Sequence, residues 1–134
     1  MHHLALKFPP TINSYYCHTR NGVYISKKGK DYRLAIASAV REQFSSPLPI
    51  SSTINCTVLV SMPDKRIRDL DNYMKALLDA CTHAGVWEDD SLIDQLLIYR
   101  AAISKGGGVI MLLDEAGPVM PMVSLLDLFS AGSL

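Results

Sequence analysis

A chain of 134 residues is one domain's worth of polypeptide, and with 49% hydrophobic residues it can bury a sizeable core. No run of 18 apolar residues occurs, so no membrane-spanning helix is expected, and residues 1–8 lack the basic start and long apolar stretch of a secretory signal. Three scattered cysteines, Cys17, Cys56 and Cys81, suit neither a disulfide framework nor a zinc knuckle and point to a reducing, cytoplasmic setting. Formal net charge is zero, which as a total argues against nucleic-acid binding, but the charges are unevenly placed. Residues 1–68 carry ten Lys or Arg against three acids, and residues 69–134 carry three against ten. A basic half beside an acidic half is what phosphate binding next to metal-binding carboxylates would produce, though two ordinary solvated faces give the same count.

Residues 4–8 read as a short strand stopped by Pro9-Pro10. Tyr15-Tyr16 and Val23-Tyr24-Ile25 flank the turn-like Thr19-Arg20-Asn21-Gly22, the pattern of a β-hairpin. Ser26 is placed to cap a helix over residues 27–44, whose apolar positions Tyr32, Ala35, Ile36, Ala39, Val40 and Phe44 recur at spacings of three and four. Residues 53–62 are rich in β-branched side chains and predict a buried strand, broken by Pro63. A charged stretch leads to a second helix over residues 71–84, with Leu70, Met74, Leu77, Leu78 and Cys81 as its apolar stripe and Gly85 as its C-terminal cap. Residues 96–103 and 109–113 read as two strands of a hairpin closed by Ser104-Lys105-Gly106-Gly107-Gly108. Residues 116–134, with no basic residue and an apolar run over 119–129, read as a peripheral helix or a disordered tail. These elements predict an α+β fold, a mixed sheet with two main helices packed on one face.

The chemistry is concentrated in Arg66-Ile67-Arg68-Asp69-Leu70-Asp71-Asn72-Tyr73-Met74-Lys75 and, further on, Glu88-Asp89-Asp90. Asp69 and Asp71 fall where a strand's approach meets a helix start, so both carboxylates can share one side of the turn at the positive end of the helix dipole. Oxygen-only donors of this kind select hard cations such as Mg²⁺ or Mn²⁺, and a divalent ion keeps such close carboxylates ionised. Lys75 lies four residues after Asp71, the spacing of a surface ion pair that is common on any helix. What distinguishes this segment is its setting: Lys65, Arg66 and Arg68 bring phosphate-binding charge to the same place as the carboxylates. A third carboxylate from the loop at residues 88–90 would complete an octahedral oxygen site if that loop folds back. Trp87, the lone tryptophan, is expected to pack under it.

These residues resemble the RusA family of Holliday-junction resolvases, small endonucleases of bacteria and their prophages. The resemblance runs over about residues 4–115. It is carried by Met62-Pro63-Asp64-Lys65-Arg66-Ile67-Arg68-Asp69-Leu70-Asp71-Asn72 with Lys75, by Asp79-Ala80, and by Ala84-Gly85-Val86-Trp87-Glu88-Asp89-Asp90. Pro9-Pro10, Asn13, Tyr15-Tyr16, Tyr24, Ser26, Gly29 and Tyr32-Arg33 look like its N-terminal pattern, and Lys105-Gly106-Gly107 like its final hairpin. Ile67 and Cys17 stand where basic residues are common, and residues beyond Glu115 have no counterpart in the family.

The resemblance implies a RusA-like endonuclease domain over residues 1–115, a C-terminal extension over 116–134, and a homodimer whose two sites nick opposing strands of branched DNA. It implies Mg²⁺ dependence, with Mn²⁺ as substitute, through Asp69, Asp71 and Asp90, and an important Lys75. Lys65, Arg66 and Arg68 are expected to grip the DNA backbone, and Lys27, Lys28, Lys30 and Arg33 to extend the positive surface. Two other readings compete: a junction-binding protein without catalysis, and a metal-dependent phosphohydrolase acting on nucleotides. The complete acid and lysine set opposes the first, and the lack of any base-binding stretch in the sequence opposes the second.

Overall fold

A computed structural model describes residues 1–115 and residue 130; the extension expected over 116–134 lies outside the described residues but for that one position. The central strand is β4, Ile54–Ser61, as its β-branched composition predicts, with burial alternating at every second residue. Ile54, Cys56, Val58 and Val60 face the core, and Asn55, Thr57, Leu59 and Ser61 face the other way. Around it stand β1 (His2–Leu6), β5 (Ile93–Arg100) and β6 (Gly108–Glu115), in the order β1-β6-β4-β5. The β1–β6 and β6–β4 pairs are antiparallel and β4–β5 is parallel, so the sheet is mixed, as expected. A separate two-stranded hairpin, β2 (Tyr16–Thr19) with β3 (Gly22–Ile25), turns at Gly22 where the turn residues predict it.

The last two strands do not form the expected hairpin. Both exist, but β4 lies between them. The connector hydrogen-bonds to the end of β4 as it leaves β5: the Ala101 amide donates to Val60 O (2.8 Å) and the Ser104 amide to Met62 O (3.1 Å). Gly106 and Gly107 then turn at positive φ (83° and 69°) and deliver β6 down the far side of β4. The glycines set a reversal, but they do not choose the partner. That choice goes to the arrangement that covers both edges of the most apolar strand.

Helix α2, Lys27–Gln43, begins where Ser26 caps it, its hydroxyl accepting from the Gly29 amide at 3.0 Å. Ahead of it a single turn, α1 (Ile12–Tyr15), capped by Thr11, escapes the sequence reading because four residues carry no periodicity. The second helix is shorter at its start than its spacing predicts. Residues Leu70–Tyr73 form a 3-10 turn, and the α-helix proper, α3, is Met74–His83. Gly85 (φ 80°) ends it: its amide donates to Thr82 O (3.0 Å) and that of Val86 to Cys81 O (3.1 Å). The buried faces of the helices and the inward strand positions form one continuous core. Trp87 is buried in it, its indole N–H donating to the Thr82 hydroxyl at 2.7 Å. Cys56 and Cys81 are buried thiols, and burial pushes Cys56 up to about 12.

The end of α2 closes over the sheet's β1 edge. Gln43 reads the backbone of Ala5 with both ends of its amide, accepting from Ala5 N and donating to Ala5 O at 2.7 Å each. Among the described residues β5, the other edge, has no strand beyond it.

Gly29 shows how tightly the start of α2 is set. A Cβ there would stand 2.5 Å from the Tyr15 carbonyl oxygen and 2.9 Å from Ile25. In an open helix, replacing Gly by Ala stabilises by about 1 kcal/mol. Here overpacking reverses the sign, so Gly29→Ala should destabilise the fold by about 1–3 kcal/mol in urea unfolding. A neutral or stabilising result would mean that α1 and α2 are not in close contact.

Candidate active site

The path from β4 to β5 carries almost every residue singled out in the sequence. After Met62 and Pro63, Asp64 gathers the charged stretch about itself. Its carboxylate accepts from the Arg66 amide (2.9 Å), from Arg66 Nε (3.2 Å) and Nη2 (3.0 Å), and from Arg68 Nη1 (2.5 Å) and Nη2 (3.1 Å). The Arg68 bonds foremost, and those from Arg66 after them, hold the Asp64 carboxyl well below the usual carboxylate range. The three expected phosphate contacts are therefore unlike one another. Lys65 is exposed and in no ion pair among the described residues; the Arg66 side chain is 80% exposed; the Arg68 side chain is only 14% exposed and is spent largely on Asp64. Ile67 is fully exposed.

The chain next enters the 3-10 turn. Asp69 is its extended N-cap residue, and its side chain makes no capping bond; Asp71 lies in the first turn, and Lys75 in the first turn of α3. Asp69, Asp71 and Lys75 are all exposed, and Asp71 and Lys75 form no ion pair with each other. The loop after α3 returns to the segment that leads into β4. Ile50 N donates to Val86 O (2.9 Å) and Glu88 N to Ile50 O (3.1 Å), a bridge that pins Trp87 beside the entrance to β4. Asp89 then caps a short 3-10 turn, Asp90–Leu92, accepting from Ser91 N at 3.0 Å. That bond lowers the Asp89 carboxyl, with a smaller contribution from Lys75, whose charge the loop thus feels.

One helical turn past Lys75, Asp79 belongs to a network that the sequence reading gave no role. Tyr15 Oη donates to Asp79 Oδ2 in a short bond, Arg33 Nη2 donates to the same oxygen (2.8 Å), and Arg33 Nε donates to Tyr15 Oη (2.8 Å). One residue each from α1, α2 and α3 meets there. Burial pushes the Asp79 carboxyl up, but the bonds from Tyr15 and Arg33 outweigh it and leave it below its ordinary value. Burial and the bond to Asp79 raise the Tyr15 phenol. Arg33, expected on the positive surface, is thus committed inside the fold, and Lys27 pairs with Asp31 at 3.0 Å. Lys28 and Lys30 are exposed. The one sequence signal for this network was that Tyr15, Arg33 and Asp79 all stand among the residues that carry the family resemblance.

The acids of the β4–β5 path therefore divide. Asp64, Asp79 and Asp89 each hold a structural partner, whereas the side chains of Asp69, Asp71 and Asp90, with Glu88, make no hydrogen bond or ion pair among the described residues. No group of three or more His, Cys, Asp or Glu side chains among the described residues is drawn close enough to form a ready metal cluster. In chemistry the free set suits a hard cation, being carboxylate throughout with no imidazole or thiolate among its members. No described helix is long and apolar enough to cross a membrane.

Unpaired carboxylates thus stand on the same β4–β5 path as a cationic turn, on a mixed α+β sheet. Comparison with known proteins gives the family. Residues 7–112 match the family described as Endodeoxyribonuclease RusA. The chain is 35% identical over 119 residues to the crossover junction endodeoxyribonuclease rusA of Enterobacteria phage 82, covering 87% of this chain and 96% of that protein. It is 34% identical over 117 residues to the RusA enzymes of Escherichia coli K12 and of Shigella sonnei, covering 85% of this chain and 94% of theirs. The chain belongs to the RusA endodeoxyribonuclease family, a family of nucleases.

Asp64 cancels one of the two guanidinium charges it holds. Asp64→Asn should therefore tighten binding to DNA in EDTA and steepen the plot of log affinity against log salt by about one. An unchanged slope in a folded variant would show that Arg66 and Arg68 do not face the backbone.

Proposed function

We propose that this chain resolves four-way DNA junctions by Mg²⁺-dependent phosphodiester hydrolysis, two copies nicking opposed strands. The names of its relatives give the substrate class. The observation that carries the chemistry is the division among the acids: Asp69, Asp71 and Asp90 are left unneutralised on elements adjoining Lys75. These three would hold the ion, with Mn²⁺ able to replace Mg²⁺. When bound, it supplies charge neutralisation at the scissile phosphate and acidifies a water for in-line attack. The chain's own residues do the remainder. Lys65 and Arg66, exposed on the turn around Asp64, meet the backbone, and Lys75 sets a positive charge where negative charge builds on the phosphate or leaving oxygen. The Tyr15–Asp79–Arg33 network holds α3, and so Lys75, against the rest of the fold.

Pairing of two copies is supported by the sheet face that no described element covers. Leu97 and Tyr99 are exposed there beside Thr57 and Leu59, and Ile110 is exposed on β6, so an apolar strip crosses three strands. A two-fold symmetric junction calls for two related sites, which an isologous dimer provides. Sedimentation at micromolar concentration should show a dimer, and Tyr99→Glu with Ile110→Glu should yield a folded monomer that no longer makes paired nicks. A wild-type monomer with full cleavage would overturn this.

A synthetic four-way junction, a linear duplex and a free nucleotide, each with and without Mg²⁺, test the reading directly. Only the junction with Mg²⁺ should be cut efficiently. Asp71→Asn should lower cleavage by orders of magnitude while junction binding in EDTA stays equal or tightens severalfold, because a carboxylate lacking its cation repels phosphate. If Asp71 served only the helix terminus, Asn would replace it well and cleavage would survive.

A further inference from the structure

Beside the carboxylate turn lies a cleft of about 600 Å³ that shares only its arginines with the roles above. Its floor is aromatic: Phe8 and Tyr73 meet with ring centroids 4.9 Å apart at 52°, and Tyr73 closes the 3-10 turn that carries Asp71. Gly107 leaves room for the Phe8 ring, since a Cβ there would come within 3.0 Å of it. The rim is cationic, with Lys7 and Lys28 among the lining residues on the N-terminal side and, from the charged turn, Arg66 and Arg68, which share the single charge of Asp64. The one acid in the lining, Asp31, is already paired with Lys27. Thr11 and Ser14 add hydroxyls to the wall.

An apolar aromatic floor under a ring of cations takes a ligand with a flat face and a phosphate, and the volume is that of a small-molecule pocket. Bases in an intact duplex are stacked and present only their edges to a protein. A base reaches such a floor only where stacking is already broken, which costs least at a branch point. We infer that the cleft receives one unstacked nucleotide of the cut strand next to the scissile phosphate, its base on Phe8 and its phosphate among Lys28, Lys7 and Arg66. The inference rests on the junction reading. It adds a contact with a base, and hence a means of favouring some sequences at the cut, to a surface otherwise built for backbone.

The test uses the full chain in EDTA and four-way junctions carrying 2-aminopurine at successive positions of one strand about the branch point. Binding should change the fluorescence at one position, and an abasic residue there should weaken binding roughly tenfold, the scale of one base–aromatic stack. Phe8→Leu keeps an apolar side chain over Tyr73 but removes the ring. It should weaken the intact junction similarly and the abasic junction hardly at all. Lys28→Glu, on an exposed helix position, should reduce the fluorescence change without touching the floor. Junction binding with no change at any position, or equal losses for Phe8→Leu on intact and abasic DNA, would overturn the cleft alone. The abasic arm alters only the DNA and so decides the matter even if a variant fails to fold. Failure of the wild type to bind any junction would remove the junction reading, and the cleft with it.

Discussion

A parallel pair of strands cannot be closed by a tight turn, and this constraint governs the molecule. Because β5 runs parallel to β4, the chain must travel from the end of one back to the start of the other. That return path carries the residues of the proposed site. It holds the Asp64 knot, the carboxylate turn, Lys75 and Asp79 on α3, the buried Trp87 and the loop to Asp90. The sheet fixes both ends of the path, the Ile50–Trp87 bridge fixes its far bend, and the Tyr15–Asp79–Arg33 network fixes its helix. Asp64 and Asp90, 26 positions apart in the chain, are thereby carried on one stretch with little freedom to separate.

What the sequence made legible follows from how local each determinant is. The helix over Lys27–Gln43 announces itself through a serine cap and five turns of spacing, and β4 through its β-branched run, because both depend on near neighbours. The strands β5 and β6 are equally local as strands, yet their pairing was misjudged. A glycine-rich reversal between two apolar runs looks the same whether the runs touch or straddle a third strand. The four-residue α1 and the three-residue turn at Asp90 lie below the length at which periodicity exists at all.

The site shows a similar split. Residue type and order pointed to Asp69, Asp71 and Lys75 with some acid of the 88–90 loop, and only the family resemblance chose Asp90 among them. They could not separate free from engaged charge. Arg33 and Arg68 read as surface cations, and the fold spends both on carboxylates; Asp79 read as one more acid, and the fold makes it a hub. Which charges remain for a substrate depends on three-dimensional pairing, and it is visible only once the partners are in place.

The amide of Gln43 has a consequence for assembly. By holding both backbone groups of Ala5 it occupies the border of the sheet at β1, so an incoming strand there must first displace two hydrogen bonds. The β5 border carries no such plug among the described residues. A sheet open at both borders can add copies without end, each new molecule offering the next a template. With one border stoppered, strand addition has a single direction, and two molecules joined β5 to β5 would present only stoppered borders to a third. The glutamine thus leaves the sheet with one stoppered border and, among the described residues, one open one.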